Sequence, residues 1–296
     1  MSSNAVAARP ALPPLILACL AATWLVWGST YLAIKVALIS LPPFLMMGSR
    51  FLAAGVMLLV WMRWRGQPLP SLRQWGHALV VGSLMLGGGM GFTAVAEVSV
   101  GSGLVVAFIA VCPLMIALFN RAYGVKPARG ELAGIIVGLA GVLLLTQGAG
   151  FSASPAGLAA IAVACLTWAA GSVLSQRSLP LAPGAMGFAS EMICGGVVLF
   201  GFAAVAGEAW PAHIEPAALG AWLYLVVFGS LIAFNAYMVL LAKASPGLAS
   251  SYTFVNPVIA MLLGVALAGE RITVGEWLAA GVILLGVVLL LRARRQ

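Results

Sequence analysis

Two ionisable residues stand where an apolar chain tolerates them least. Arg50 lies in the run from Pro42 to Trp61, PPFLMMGSRFLAAGVMLLVW, and Glu191 lies in GAMGFASEMICGG. A guanidinium is not deprotonated in practice, and a charge at a bilayer centre costs about 2.5–3.5 kcal/mol on insertion scales. Each residue is seven positions into its run, counted from Pro43 and Gly184, or roughly 10 Å along a helix. Three roles suit them: bonding nearby carbonyls or dipoles to hold a helix, pairing in one conformational state as a gate, or handling a substrate or proton directly.

Other chemistry is sparse. Asp is absent, and only His77 and His213 could supply imidazole. A nucleophile–base pair or a metal cluster therefore has little to be built from, and an enzyme is not expected. Cys19, Cys112, Cys165 and Cys194 each lie inside an apolar run with no CxxC spacing, so they read as small buried hydrophobes. Gly89 to Ala94, GMGFTA, matches a nucleotide-binding G-x-G-x-x-A. That fingerprint needs a preceding strand in a βαβ unit, and here it falls inside an apolar run. No cofactor is expected.

The elements that must position these residues are set by composition. Of 296 residues, 63% are hydrophobic and 7% charged, and mean hydropathy is +1.11. A soluble domain carries roughly 25% charged residues, so lipid must be the solvent on most sides. The runs do not alternate apolar with polar, which argues against a β-barrel. The spacing predicts ten membrane helices at about 14–34, 43–62, 75–95, 100–120, 131–148, 155–176, 184–206, 217–241, 247–268 and 275–292, each near the roughly 20 residues a bilayer needs. The first run has no A-x-A cleavage site and reads as a retained helix.

Placing the N-terminus in the cytoplasm puts twelve of the fifteen Lys and Arg in inside segments, with only Lys35 and Arg271 in outside gaps. The positive-inside bias thus places both termini in the cytoplasm. Basic residues scattered over short gaps form no stripe for nucleic acid.

The chain also repeats itself. At an offset of 141, Trp27 meets Trp168, Pro42 meets Pro183 and Arg50 meets Glu191; at 144, Pro113 meets Pro257; at 145, GEL at Gly130 meets GEW at Gly275. Five spans per half is odd, so the second half enters the membrane from the opposite side. Inverted repeats of this kind place a substrate site near the midplane between halves.

Five plus five spans, WLVWGSTYLAIK in the first, an Arg early in the second, and Pro113 and Pro257 in the fourth and ninth resemble the drug/metabolite transporter superfamily. Within it, the chain resembles EamA-type ten-helix exporters and is similar to bacterial aromatic amino acid exporters. The resemblance implies one five-helix repeat over 14–148 and an inverted one over 155–292, with cytoplasmic tails at 1–13 and 293–296. It also implies a central cavity lined mainly by spans one, three, four, six, eight and nine, with spans five and ten peripheral. ATP and cofactors have no place in it. The expected protein is a multi-pass transporter of the bacterial inner membrane, exporting amino acids or related metabolites by alternating access. Other metabolites or drugs, and a channel-like or lipid-translocating activity, are the alternatives. Its partners are a small-molecule substrate and membrane lipid, and a monomer is expected with an oligomer left open.

Candidate cavity residues are Trp27, Tyr31, Gly89, Thr93, Trp168, Ser172, Asn235, Tyr237, Tyr252 and Asn256. Rings suit an aromatic or apolar substrate, and neutral polar groups suit an amino or carboxylate group that must later be released. Gly87, Gly88, Pro113 and Pro257 are candidate hinges or gates, because paired Gly or Pro interruptions in corresponding spans point to a transporter site. Plain packing is the competing reading for the glycines. Glu97 and Lys35, near the outer ends of spans three and one, read as boundary charges or as an outer gate. Gly134 and Gly138 form a GxxxG that could serve contacts within or between chains.

Overall fold

The computed structural model describes residues 12–100, 105, 108–146, 154–268 and 273–293. Residues 1–11 and 294–296 of the expected tails lie outside the described residues, as do Gly103, Glu270 and Arg271. Regular structure among the described residues is helical, as a chain in lipid requires to satisfy its own backbone.

The first half runs α1 (Pro14–Ala37), α2 (Pro43–Trp64), α3 (Leu72–Gly82), a π-helix π1 (Ser83–Gly91), α4 (Phe92–Ser99), α5 (Cys112–Arg121) and α6 (Arg129–Thr146). The second runs α7 (Pro155–Arg177), α8 (Ala185–Val205), α9 (Pro216–Tyr224), a second π-helix π2 (Leu225–Phe234), α10 (Asn235–Lys243), α11 (Pro246–Ala249), α12 (Tyr252–Ala268) and α13 (Val274–Ala293). Among the described residues, six helices are long and apolar enough to cross a membrane: Pro14–Ala37, Pro43–Trp64, Leu72–Ser99, Pro155–Arg177, Ala185–Val205 and Pro216–Lys243. They are the first three of each half. The chain is an integral membrane protein.

Proline marks the entries. Pro14, Pro43, Pro113, Pro155, Pro216 and Pro246 each sit in a first turn, where the missing N–H costs nothing. Orphan N–H groups find carboxylates from distant parts of the chain, one in a loop and one on a helix. Glu208 accepts from Phe44 N at 3.1 Å and Leu45 N at 2.8 Å, and Glu131 accepts from Gly247 N at 2.6 Å.

Contacts between elements repeat with the halves exchanged. Helix α1 packs on α9, π2 and α10, while α7 packs on α3, π1 and α4; α1 meets α12 as α7 meets α5; α2 meets π2 as α8 meets π1. The pairs α2 with α8 and α6 with α13 pack on their own counterparts. These are the contacts of a pseudo-twofold. Without a hydrophobic drive between helices in lipid, close backbone approach supplies the attraction. In the α6–α13 seam, a Cβ on Gly286 would lie 2.6 Å from Gly138 N, and one on Gly134 2.9 Å from Gly286 O. The GxxxG glycines thus serve a contact within the chain.

The two long third helices each carry their π-helical stretch at matching places. Such wide turns are rare and concentrate at functional sites. The glycines of π1 made a weak helix legible, but nothing in LVVFGSLIAF marked the second.

Candidate functional site

A cavity lies where the two halves meet. About 520 Å³ of atom-free space lies between its walls, open solvent included. Its walls are Trp27, Thr30, Tyr31 and Ile34 from α1; Gly89 and Met90 from π1 with Thr93 from α4; Ile109 ahead of α5 and Cys112 at its start; Ala164, Cys165 and Trp168 from α7; and Tyr252 and Asn256 from α12.

Seven residues singled out in the sequence therefore come together: Trp27, Tyr31, Gly89, Thr93, Trp168, Tyr252 and Asn256. Three do not line it. Tyr237 is fully buried behind the wall, and Ser172 bonds it there at 3.0 Å between hydroxyls. Asn235 turns inward to its own helix, its Nδ2 donating to Leu231 O at 2.9 Å. The eighth span thus backs the cavity rather than facing it, unlike the lining implied by the family resemblance.

Trp27 and Trp168, equivalent in the two halves, meet with ring centroids 5.7 Å apart and nearly perpendicular planes at 74°. Tyr237 stacks on Trp168 at 5.2 Å, and Tyr252 stands edge-on to Trp27 at 4.7 Å. Three of these four rings line the cavity, and Tyr237 packs behind them. Edge-to-face and offset contacts of this kind fix rings more firmly than aliphatic packing does.

Arg50 sits behind the tetrad, fully buried. Its Nε donates to Ser230 Oγ at 2.7 Å, and its Cζ lies 4.8 Å from the Phe51 ring centroid. The neighbouring Gly229 carbonyl, also in π2, accepts from Trp27 Nε1 at 3.1 Å. One turn of π-helix thus links the guanidinium to the cavity wall. Glu191 lies on α8, which packs directly against α2, yet no ion pair joins it to Arg50 among the described residues. Both Glu191 carboxylate oxygens are buried without a partner among the described residues.

The candidate hinges occupy different settings. Gly87 faces Val198 and Phe202, and Gly88 faces Thr167 at a distance that a Cβ would reduce to 2.5 Å. Pro257 lies inside α12, whereas Pro113 lies in the first turn of α5 after a turn at 110–111. The two prolines match in sequence offset but not in helix position.

Sequence reasoning missed Ile34, Met90, Ile109, Ala164 and the two thiols Cys112 and Cys165 as wall residues. The signal existed as helical spacing. Ile34 follows Tyr31 by three and Cys165 precedes Trp168 by three, so each shares a helical face with another wall residue, whereas the turn at 110–111 separates Ile109 from Cys112.

Comparison with known proteins decides the family. The EamA-like transporter family matches residues 12–147 and 155–292. The chain belongs to that family. It is 44% identical over 269 residues to "Uncharacterized inner membrane transporter YedA" of Escherichia coli K12, covering 90% of this chain and 88% of YedA. It is 28% identical over 242 residues to "Protein PecM" of Dickeya dadantii, covering 81% and 80% of the two chains. A crystal structure 22% identical to it shares the fold, with a TM-score of 0.76 over 98% of this chain and 100% of the other. As an EamA-like protein it is a membrane transporter, and its cavity at the seam of two matched domains is the candidate transport site.

Proposed function

We propose that this chain is a ten-span secondary transporter of the inner membrane that exports small metabolites, foremost amino acids including aromatic ones, by alternating access. The observation that carries the reading is the cavity between the repeats, walled by Trp27, Tyr31, Trp168 and Tyr252 with Thr30, Thr93 and Asn256 as its few polar groups. A ring-bearing side chain stacks on such walls, and sparse neutral hydrogen bonders hold a head group without trapping it. The relative named an inner membrane transporter supports the location. Twelve of fifteen basic residues support cytoplasmic termini.

Inverted halves with exchangeable contacts suit alternating access, in which each half adopts the other's conformation. The wide turns of π1 and π2, one packed on each half's first helix, are where such an exchange costs least. Each can shift register locally without breaking a straight helix. The tetrad then closes one end of the pathway while the opposite end opens.

The test is reconstitution. Liposomes carrying the protein should take up labelled phenylalanine or tryptophan saturably and show counterflow with unlabelled substrate. Flux that rises linearly with concentration and shows no counterflow would instead mark a channel-like pathway. Metabolite release from cells with and without the protein identifies the preferred substrate.

A further inference from the structure

One helical turn beyond the cavity wall, a buried carboxylate stands unused. Glu97 is on α4, four residues beyond Thr93 and so on the same helical face. It is 7% exposed, and neither carboxylate oxygen has a hydrogen-bond partner among the described residues. Lys35, one turn beyond Tyr31, and Tyr31 itself are close enough to interact with it electrostatically. No ion pair within 4.0 Å joins Lys35 to it among the described residues.

The other glutamates whose side chains are described divide cleanly. Glu131 and Glu208 accept backbone N–H groups, and Glu215 lies 3.8 Å from His213. Only Glu97 and Glu191 have both oxygens buried and unpartnered. Glu191 is locked between packed helices, its backbone carbonyl 2.6 Å from where a Cβ on Gly82 would sit. Glu97 lies one helical turn beyond the wall residue Thr93 and within electrostatic reach of the wall residue Tyr31. A buried carboxylate without a donor is costly, and the cost is recovered when a cation arrives.

We infer that Glu97 is the cation-recognising end of this cavity, and that the ligand carries a protonated amine on an apolar or aromatic body. The inference rests on the cavity being the transport site and adds the charge of what enters it. The body lies against Trp27 and Trp168, and the ammonium reaches Glu97. From Trp27 to Lys35 is eight residues of helix, roughly 12 Å, enough for a ring at one end and an ammonium at the other. The tyrosine face of Tyr31 adds a second attraction for a cation.

The experiment uses the purified full-length protein in nanodiscs and three probes of one shape: phenethylamine, phenethyl alcohol and 3-phenylpropionate. Binding is read by calorimetry. Wild type should bind the amine at least about tenfold more tightly than the alcohol, and the propionate most weakly. Glu97→Gln should collapse the amine preference to within about twofold, Glu97→Asp should retain part of it, and Lys35→Gln should strengthen amine binding about two- to threefold. Size-exclusion profiles and circular dichroism establish that each variant is folded. An amine preference unchanged in a folded Glu97→Gln overturns the inference, as does a wild type with no such preference. Alcohol binding lost in Trp168→Ala reports on the cavity itself. If wild type binds none of the three probes, the cavity reading falls as well; if it binds the alcohol without preferring the amine, only the role of Glu97 falls.

Discussion

The Nη2 of Arg50 lies 2.6 Å from the point where a Cβ on Gly229 would sit. A residue from the second span therefore fills the space that one specific glycine of the eighth leaves open. The same glycine's carbonyl accepts from Trp27. An unusual charge, a wide helical turn and a cavity-wall ring form one unit, and this is why the apolar run PPFLMMGSRFLAAGVMLLVW keeps its arginine.

Gly229→Ala should displace the guanidinium and disturb the cavity wall. The guanidinium is hemmed in by Ser230 and Phe51, so the added methyl behaves as overpacking, costing about 1–3 kcal/mol. Thermal unfolding in detergent should show that loss, together with slower transport. Arg50→Lys removes the Nε donor to Ser230 and should cost about 1.5–3 kcal/mol. A lysine variant with wild-type stability and rate would show that the guanidinium geometry is immaterial.

Trp27→Phe keeps a ring in the tetrad but deletes the donor to Gly229. The expected loss is about 1 kcal/mol, with a raised KM for aromatic substrates. Trp27→Ala should lower uptake much further, because the cavity then loses the ring on which the tetrad packs. Initial rates of counterflow at varied substrate concentration separate the two.

Gly286→Ala should destabilise without touching the site. The α6–α13 seam leaves no room for a methyl facing Gly138 N, so unfolding should cost about 1–3 kcal/mol less. The KM of the surviving protein should match wild type. A changed KM would mean that the seam moves during transport.

Glu191→Gln should retain or raise thermal stability, since an amide carries no charge to strand between helices. Glu191→Ala leaves a void in the packed α2–α8 region and should lose about 2 kcal/mol or more. Transport by Glu191→Gln measured from acid to alkaline pH also bears on proton handling. A pH profile identical to wild type removes Glu191 from that role.

A fluorescent-protein fusion after Gln296 should glow, and a phosphatase fused after Ile214 should be active, if the termini are cytoplasmic and that loop faces outward. The reverse pattern would overturn the positive-inside assignment.

The membrane class, the positions of six long apolar helices and the repeat were legible because each depends on periodic or summed properties of residues. Hydropathy marks Pro43–Trp64 without reference to any neighbour, and Trp27 meets Trp168 by counting alone. The cavity was legible in part. Its aromatic residues announce themselves, whereas Cys112, Cys165 and Met90 look like any buried residue until their helices are placed. Tyr237 and Tyr252 are alike in type and setting along the chain, yet only Tyr252 reaches the cavity, because helix rotation about its axis is set by packing.

The sequence by itself determined that the chain lives in lipid as two related helical halves, since burial of backbone polar groups and the distribution of charge leave no other arrangement for such a composition. It also marked Arg50 and Glu191 as anomalous. Only the tertiary structure decided what each meets: Arg50 bonds across to π2 and supports the cavity wall, while the carboxylates of Glu191 and of Glu97, which read as a boundary charge or an outer gate, are buried without a partner among the described residues. The reason is geometric. Hydropathy is a property of each residue, but a charge's partner depends on the rotation and crossing of helices far apart in the chain, and those are settled only when close-packed surfaces meet.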